Sequence, residues 1–239
     1  MNYFIKFNDK SSEGLFKIRK LPSRVFATKK IESYNIPTLD GDYYKDYGTY
    51  EAFTLELECL MKGNFDINNI QKIKEMFLDP NGKLEFSDEG GVYYKARLNN
   101  IISFEEISLI SGEFLLNFIV FPKAYIIEGQ SEIVVSNNNI LTNLGNTIAE
   151  PTIKLEGITN NITITVINNN ISQSMRFVGV DNTIIVDCSL ENCYGLNKQN
   201  YNNKLSLDSD FIRLGTGENK ITLEPSGATI KIIPNWVRL

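Results

Sequence analysis

Ala52-Phe53-Thr54-Leu55-Glu56-Leu57-Glu58-Cys59-Leu60 alternates apolar and polar residues without a break. A period of two marks a strand with one buried face, so Phe53, Leu55, Leu57 and Cys59 are expected to face a core and Thr54, Glu56 and Glu58 the opposite side. Beyond it, Asp66 stands where a helix N-cap belongs. Ile67, Ile70, Ile73 and Phe77 then recur at three- and four-residue steps, which predicts one amphipathic helix. Asp79-Pro80-Asn81-Gly82 ends it, since Pro cannot continue a helix and Asn-Gly favours a tight turn. Lys83–Phe86 and Val92–Leu98, joined by Ser87-Asp88-Glu89-Gly90-Gly91, read as a hairpin. Glu105–Ile110 and Phe114–Phe121 read as two further strands. Before the opening stretch, Leu15–Ile18 and Arg24–Ala27 are strand candidates, and Asp40–Tyr50 reads as a tyrosine-rich, turn-rich loop.

After Phe121-Pro122-Lys123-Ala124-Tyr125 the texture changes to Asn, Ile and Thr, with no helical period. Ile133–Val135, Thr152–Leu155, Ile162–Ile167, Ser174–Val178, Thr183–Val186, Lys220–Leu223 and Thr229–Ile233 read as short strands separated by Asn, Gly and Asp turns. Regular short strands of this kind make a sandwich or barrel. The Asn runs 137–139 and 168–170 are expected to be its loops. The chain is therefore expected to be mainly β, with an N-terminal domain over 1–125 and a C-terminal domain over 126–239.

Across 239 residues there is no histidine. Imidazole is the one side chain whose unperturbed pKa lies near neutrality, and it serves most proton-shuttling hydrolases, zinc enzymes and Ser-His-Asp or Cys-His systems. Its absence favours binding, structure or assembly over catalysis. A net charge of −5 argues against a nucleic-acid-gripping surface, which needs a basic patch to displace counterions. The N-terminus does not read as a signal peptide, and the longest apolar stretch, around Phe114–Phe121, is too short to span a bilayer.

No motif specifies a reaction. Cys59, Cys188 and Cys193 make an odd count without a His, a poor zinc set, and read as free thiols. Asp40-Gly41-Asp42-Tyr43-Tyr44-Lys45-Asp46 superficially resembles a calcium loop, but Tyr44 and Lys45 occupy the places that need an oxygen ligand and a glycine. Asp208/Asp210 and Glu105/Glu106 are carboxylate pairs with nothing to fix their separation. Gly90-Gly91 and Gly215-Thr216-Gly217 read as turn glycines rather than phosphate loops. No cofactor, metal or catalytic residue is expected. Tyr43, Tyr44, Tyr47 and Tyr50 have two readings, a contact surface or packing on their own domain. Tyr suits contacts because it is amphipathic and loses little entropy on ordering.

The order of these features resembles the distal tail protein family of long-tailed bacteriophages. The resemblance runs from Phe4-Ile5-Lys6-Phe7-Asn8-Asp9-Lys10-Ser11-Ser12 through Thr38-Leu39-Asp40-Gly41-Asp42, the strand Tyr50–Leu60 and the helix around Ile67–Phe77. It continues through Gly82–Asp88, Tyr93-Tyr94-Lys95-Ala96 and the strand ending at Tyr125. In the second half it takes in Asn143-Leu144-Gly145-Asn146, Pro151–Gly157, Asp181–Asp187, Gly217–Ile221 and Trp236-Val237-Arg238-Leu239.

The resemblance implies an N-terminal β domain with one helix and a hairpin, and a C-terminal galectin-like β-sandwich. It implies a homo-hexameric ring of N-terminal domains between the tail tube protein and the tail tip or hub protein of the virion, assembled in the bacterial cytoplasm. Receptor-binding or accessory proteins would dock on the outer domains, and DNA would only pass through. The tyrosine cluster and its flanking carboxylates, Tyr43, Tyr44, Tyr47, Tyr50, Glu56 and Glu58, are expected to supply part of the ring contact. Two other classes remain open. One is a galectin-like carbohydrate-binding module or adhesin presenting Tyr194, Tyr201 and Trp236. The other is a carboxylate-based glycosidase.

Overall fold

The structure, a computed structural model, describes residues 3–23, 27–38, 40–62, 65–108, 111–158 and 160–239. Two compact units divide the chain, Met1–Ala124 with Leu239, and Tyr125–Arg238. The first contains β1 (Ile5–Phe7), β2 (Lys10–Ser11), β3 (Phe16–Ile18), β4 (Lys29–Asn35), β5 (Asp42–Tyr50), β6 (Phe53–Met61), α1 (Ile67–Met76), β7 (Asn81–Phe86), β8 (Val92–Leu98), β9 (Phe104–Ser108) and most of β10 (Ser111–Ile126).

The chain is mainly β, and β6 anchors its first sheet, ordered β2-β1-β7-β8-β10-β6-β3 with β9 also on β10. The alternation of β6 is realised: Leu55, Leu57, Cys59 and Met61 are buried, Phe53 is half-buried, and Thr54, Glu56 and Glu58 are exposed. Opposite it, Phe114, Leu116, Phe118 and Val120 of β10 turn inward. Asp66 caps α1 by accepting from the Asn69 N–H at 2.9 Å, which satisfies one of the orphan donors of the first turn. The helix closes one side of the core through Ile73, Met76 and Phe77. The Phe77 ring lies 5.4 Å from Phe7 and 6.1 Å from Phe118.

Several expectations need correction. Ile67 is 71% exposed, because the first helical turn projects beyond the sheet, and Met76 supplies the buried position instead. The predicted hairpin starts earlier, at Asn81, and pairs Asn81 with Arg97 and Leu84 with Tyr94. Asp42–Tyr50 is no loop but strand β5, paired antiparallel with β4. Of the candidate strand Arg24–Ala27, residues 24–26 lie outside the described residues, as do 109 and 110 at the end of Glu105–Ile110.

The second unit contains β11 (Ile133–Ser136), β12 (Asn139–Asn143), β13 (Thr152–Leu155), β14 (Asn160–Asn168), β15 (Ile171–Val180), β16 (Ile184–Asp187), β17 (Asn192–Gly195), β18 (Gly217–Glu224), β19 (Thr229–Ile233) and β20 (Val237–Arg238). Except for β20, which pairs with β10, they form two antiparallel sheets, β11-β19-β13-β16-β17 and β12-β18-β14-β15. Val135, Ile153, Leu155, Ile184, Val186, Ile230 and Ile232 fill the inner face of one sheet. Leu141, Ile162, Ile164, Val166, Met175, Phe177, Ile221 and Leu223 fill that of the other. Alternate residues on the same strands face water, so the unit is a β-sandwich.

Two asparagines make its tightest hairpin: Asn169 and Asn170, with φ of 47° and 64°, join Asn168 to its partner Ile171. Asn tolerates this left-handed backbone better than any other residue but Gly. The free edge of β15 is lined by the chain's own residues 205–214. Ser206 N–H donates to Arg176 O and Asp210 N–H to Ser174 O, both at 2.9 Å. Gln173 exchanges side-chain hydrogen bonds with the Arg213 backbone at 2.8 and 3.1 Å. On β17, Tyr201 N–H donates to Cys193 O at 2.8 Å.

Candidate assembly surface

The strands β4 and β5 stand apart from both sandwich and sheet, as a two-stranded ribbon of their own. All seven residues of β4 and all of β5 except the half-buried Tyr50 are exposed. A two-stranded ribbon is marginal alone in water, and this one buries neither face in its own chain. It is held by its side chains and its base. Glu51 N–H donates to Thr28 O at 2.8 Å, Lys29 Nζ pairs with Asp46 Oδ2 at 2.7 Å, and Gly48 N–H donates to Asp46 Oδ1 at 2.8 Å. Gly48 has φ 67°, a conformation that suits glycine.

The register separates two faces. Glu32 opposes Lys45, and Tyr34 opposes Tyr43. Both the Tyr34 and Tyr47 hydroxyls donate to Glu32 Oε2, and Lys30 Nζ and Lys45 Nζ lie 5.8 and 4.8 Å from the Tyr47 ring centre. One face thus carries Lys30, Glu32, Tyr34, Tyr43, Lys45 and Tyr47. The other opposes Ile31 to Asp46, Ser33 to Tyr44 and Asn35 to Asp42. The two phenols, Tyr34 first, hold the Glu32 carboxyl below its ordinary range, and the carboxylate in turn pushes the Tyr47 phenol up.

Glu56 and Glu58 lie elsewhere, on the outer face of β6, opposite Asn117 and Leu115 of β10. The ribbon tyrosines and these glutamates are therefore separate surfaces rather than one patch. Glu58 borders a cavity of about 360 Å³ whose rim also includes Arg19, Asn100, Ile101, Glu105, Glu113 and Leu115. Arg19 pairs with Glu113. Asn100 fixes the wall: its Nδ2 donates to Leu115 O at 2.8 Å and its Oδ1 accepts from Asn117 N–H at 2.8 Å. The sequence pattern missed Lys30, Glu32, Tyr34 and this cavity. Lys29–Asn35 has no apolar period, and the cavity residues come from four separate segments.

The other candidates assemble no chemistry. All three cysteines are free and buried. Burial pushes the Cys188 thiol up to about 12 and Cys193 to about 11, and raises Cys59 as well. From Asp42 onward the calcium-like segment is part of β5, where Asp46 accepts from Lys29 and Asp42 from Ser33. Asp208 accepts from Ser206 at 2.5 Å. Among the described residues no group of three His, Cys, Asp or Glu side chains is spaced to hold a metal. Trp236, expected as an exposed sugar platform, is 3% exposed, packed over Gly129, where even a Cβ would come within 2.7 Å of its ring. Tyr194 and Tyr201 are half-buried.

Comparison with known proteins places these units. Residues 8–120 match the family profile described as a phage tail protein RIFT-related domain. Residues 144–236 match that described as a siphovirus-type tail component, C-terminal domain. No curated protein sequence matches the chain. Among solved structures, the SPP1 Dit (gp 19.1) protein superimposes with a TM-score of 0.70 at 15% identity, over 97% of this chain and 98% of that one. That protein is described as a paradigm of the hub adsorption apparatus in phages infecting Gram-positive bacteria. At this identity the likeness is one of fold.

Proposed function

We propose, since this chain belongs to the distal tail proteins of siphophages, that it closes into a six-membered ring at the end of the tail tube. The first unit forms the ring, and the second faces outward and docks receptor-binding or accessory proteins. The opening admits DNA without binding it. The role is structural, with no catalytic step.

The observation that carries this reading is the solvated ribbon β4–β5, whose side chains bury nothing within their own subunit. Exposed Tyr43, Tyr44 and Tyr47, at 55%, 65% and 42%, are the residue type that interfaces favour. Glu56 and Glu58 belong to the same ring contact in this reading, on a different patch, as unlike surfaces meeting head to tail require. The net charge of −5 fits a conduit, because an excess of negative charge disfavours phosphates.

The test is the mass of the full chain by light scattering, with electron microscopy of the particles. About six times the 27.1 kDa chain and a central hole are expected. Joint Tyr44→Ala and Tyr47→Ala substitution should shift the mass towards one chain. A monomer at every concentration, with no ring at the tail end of the virion, overturns the proposal.

A further inference from the structure

A ring of identical subunits joins two different surfaces, one from each neighbour, and the ribbon is only one of them. Resting on the ring reading above, we infer that the receiving surface is the acidic cavity over β6, β9 and β10, and that it takes the lysine- and tyrosine-bearing face of a second copy's ribbon. The cavity sets Glu58, Glu105 and Glu113 against a single cation, Arg19, already engaged with Glu113. Glu105 and Glu113 stand directly opposite one another on neighbouring strands, an unfavourable arrangement for like charges left alone. A long cationic side chain from a neighbouring copy would offset this charge. Ile101, 93% exposed, and Leu115, 37% exposed, add an apolar shelf on which an aromatic ring can lie.

The ribbon matches this surface on one side only. Lys30 and Lys45 project over Tyr47, while the sole carboxylate of that face, Glu32, is occupied by two phenols. The opposite face carries Asp42 and Asp46, and its cation, Lys29, is already engaged with Asp46, so charge favours the Lys30 and Lys45 face for docking. The ribbon leaves the sheet just before Phe53, where β6 begins, whereas the cavity lies beside Glu58 and Cys59 in the second half of that strand. Donor and acceptor are thus separate patches of one subunit, as a head-to-tail contact demands.

The test uses the full chain in three forms. One carries Glu58→Lys and Glu105→Lys, one carries Lys30→Glu and Lys45→Glu, and one carries all four. All four positions are at the surface, so thermal melting should match the wild type. Each pair of reversals should raise the concentration for half-assembly roughly tenfold or more, and the combined variant should regain the ring. If the wild type and the cavity variant both form rings while the Tyr44→Ala, Tyr47→Ala variant does not, the ribbon docks elsewhere. This inference then falls and the ring reading stands. Failure of the combined variant to reassemble also overturns the pairing. A wild type that never forms a ring removes the reading beneath it.

Discussion

Asn143 is a buried amide that ties two segments together, 145–147 and 214–215. Its Nδ2 donates to Thr147 O at 3.0 Å, Leu214 O at 3.2 Å and Gly215 O at 3.2 Å, and its Oδ1 accepts from Gly145 N–H at 2.8 Å. Asn143→Leu removes these bonds; Leu214 O keeps the Ala149 N–H and Gly215 O keeps Asn219 Nδ2, but Gly145 N–H and Thr147 O lose this partner, which should cost about 1–3 kcal/mol in urea unfolding. Gly145→Ala should cost at least as much, because its Cβ would lie 2.0 Å from Val237 O and a backbone atom cannot step aside as a side chain can. The ribbon's charges set a pH window. Glu32 and Asp46 titrate below their ordinary values, so their support is complete above those values and lost as pH falls through the lowered ones. Lys29 titrates above its ordinary 10.5, so its support is complete below 10.5 and lost as pH rises past the raised value. Relative to the intrinsic exchange rate at each pH, the amide protection of β4–β5 should therefore fall in acid and again in strong alkali, while the core strands stay protected. An equal response of ribbon and core would contradict this. Single residues were unevenly legible in the sequence. The inward face of β6 follows from its alternation, whereas the burial of Trp236 depends on Gly129, more than a hundred residues away, which no local pattern reveals.

At the scale of elements, legibility tracked burial. The strand β6, the helix α1 and the hairpin β7–β8 each bury one face, and a half-buried element prints its period on the sequence. The ribbon buries neither face, so Asp42–Tyr50 carries no alternation and reads as a loop. The strands β12 and β17 do bury one face, but at five and four residues they are too short to print a clear period. Helix α1 separates two contributions. Asp66→Ala removes only a cap and should cost about 1 kcal/mol, whereas Ile73→Ala, at a fully buried site, should cost about 2–5 kcal/mol. Thermal melts of the two variants rank cap against core, and the reverse order would mean that the helix is not packed as described. Replacing Lys29–Tyr50 by a short Gly-Ser turn should leave the melting of the remainder nearly unchanged, because the strands β4 and β5 are exposed apart from the half-buried Tyr50. A large loss of stability would show that the ribbon is part of the core after all.

For the whole molecule, two compact units share one chain, each overlapping its own family profile. Family membership was legible from the order of motifs along the sequence. The acceptor cavity was not, because its residues meet only when β6, β9 and β10 are side by side. An assembly joined through lysines and carboxylates at an exposed rim should loosen as salt rises, since charges in water are screened within about 10 Å at 0.1 M. Light scattering across a salt series measures this, and a ring indifferent to salt would point to apolar contacts instead. The three thiols should stay silent towards an aromatic disulfide reagent at pH 8 until denaturant is added. The strip 205–214 along β15 has one more consequence. Strand borders with unsatisfied amides recruit other strands, and a virus that makes many copies of this chain risks fibrils before it makes particles. Cutting that strip should turn a clear, concentrated solution into one that binds amyloid dyes while the intact protein stays dispersed.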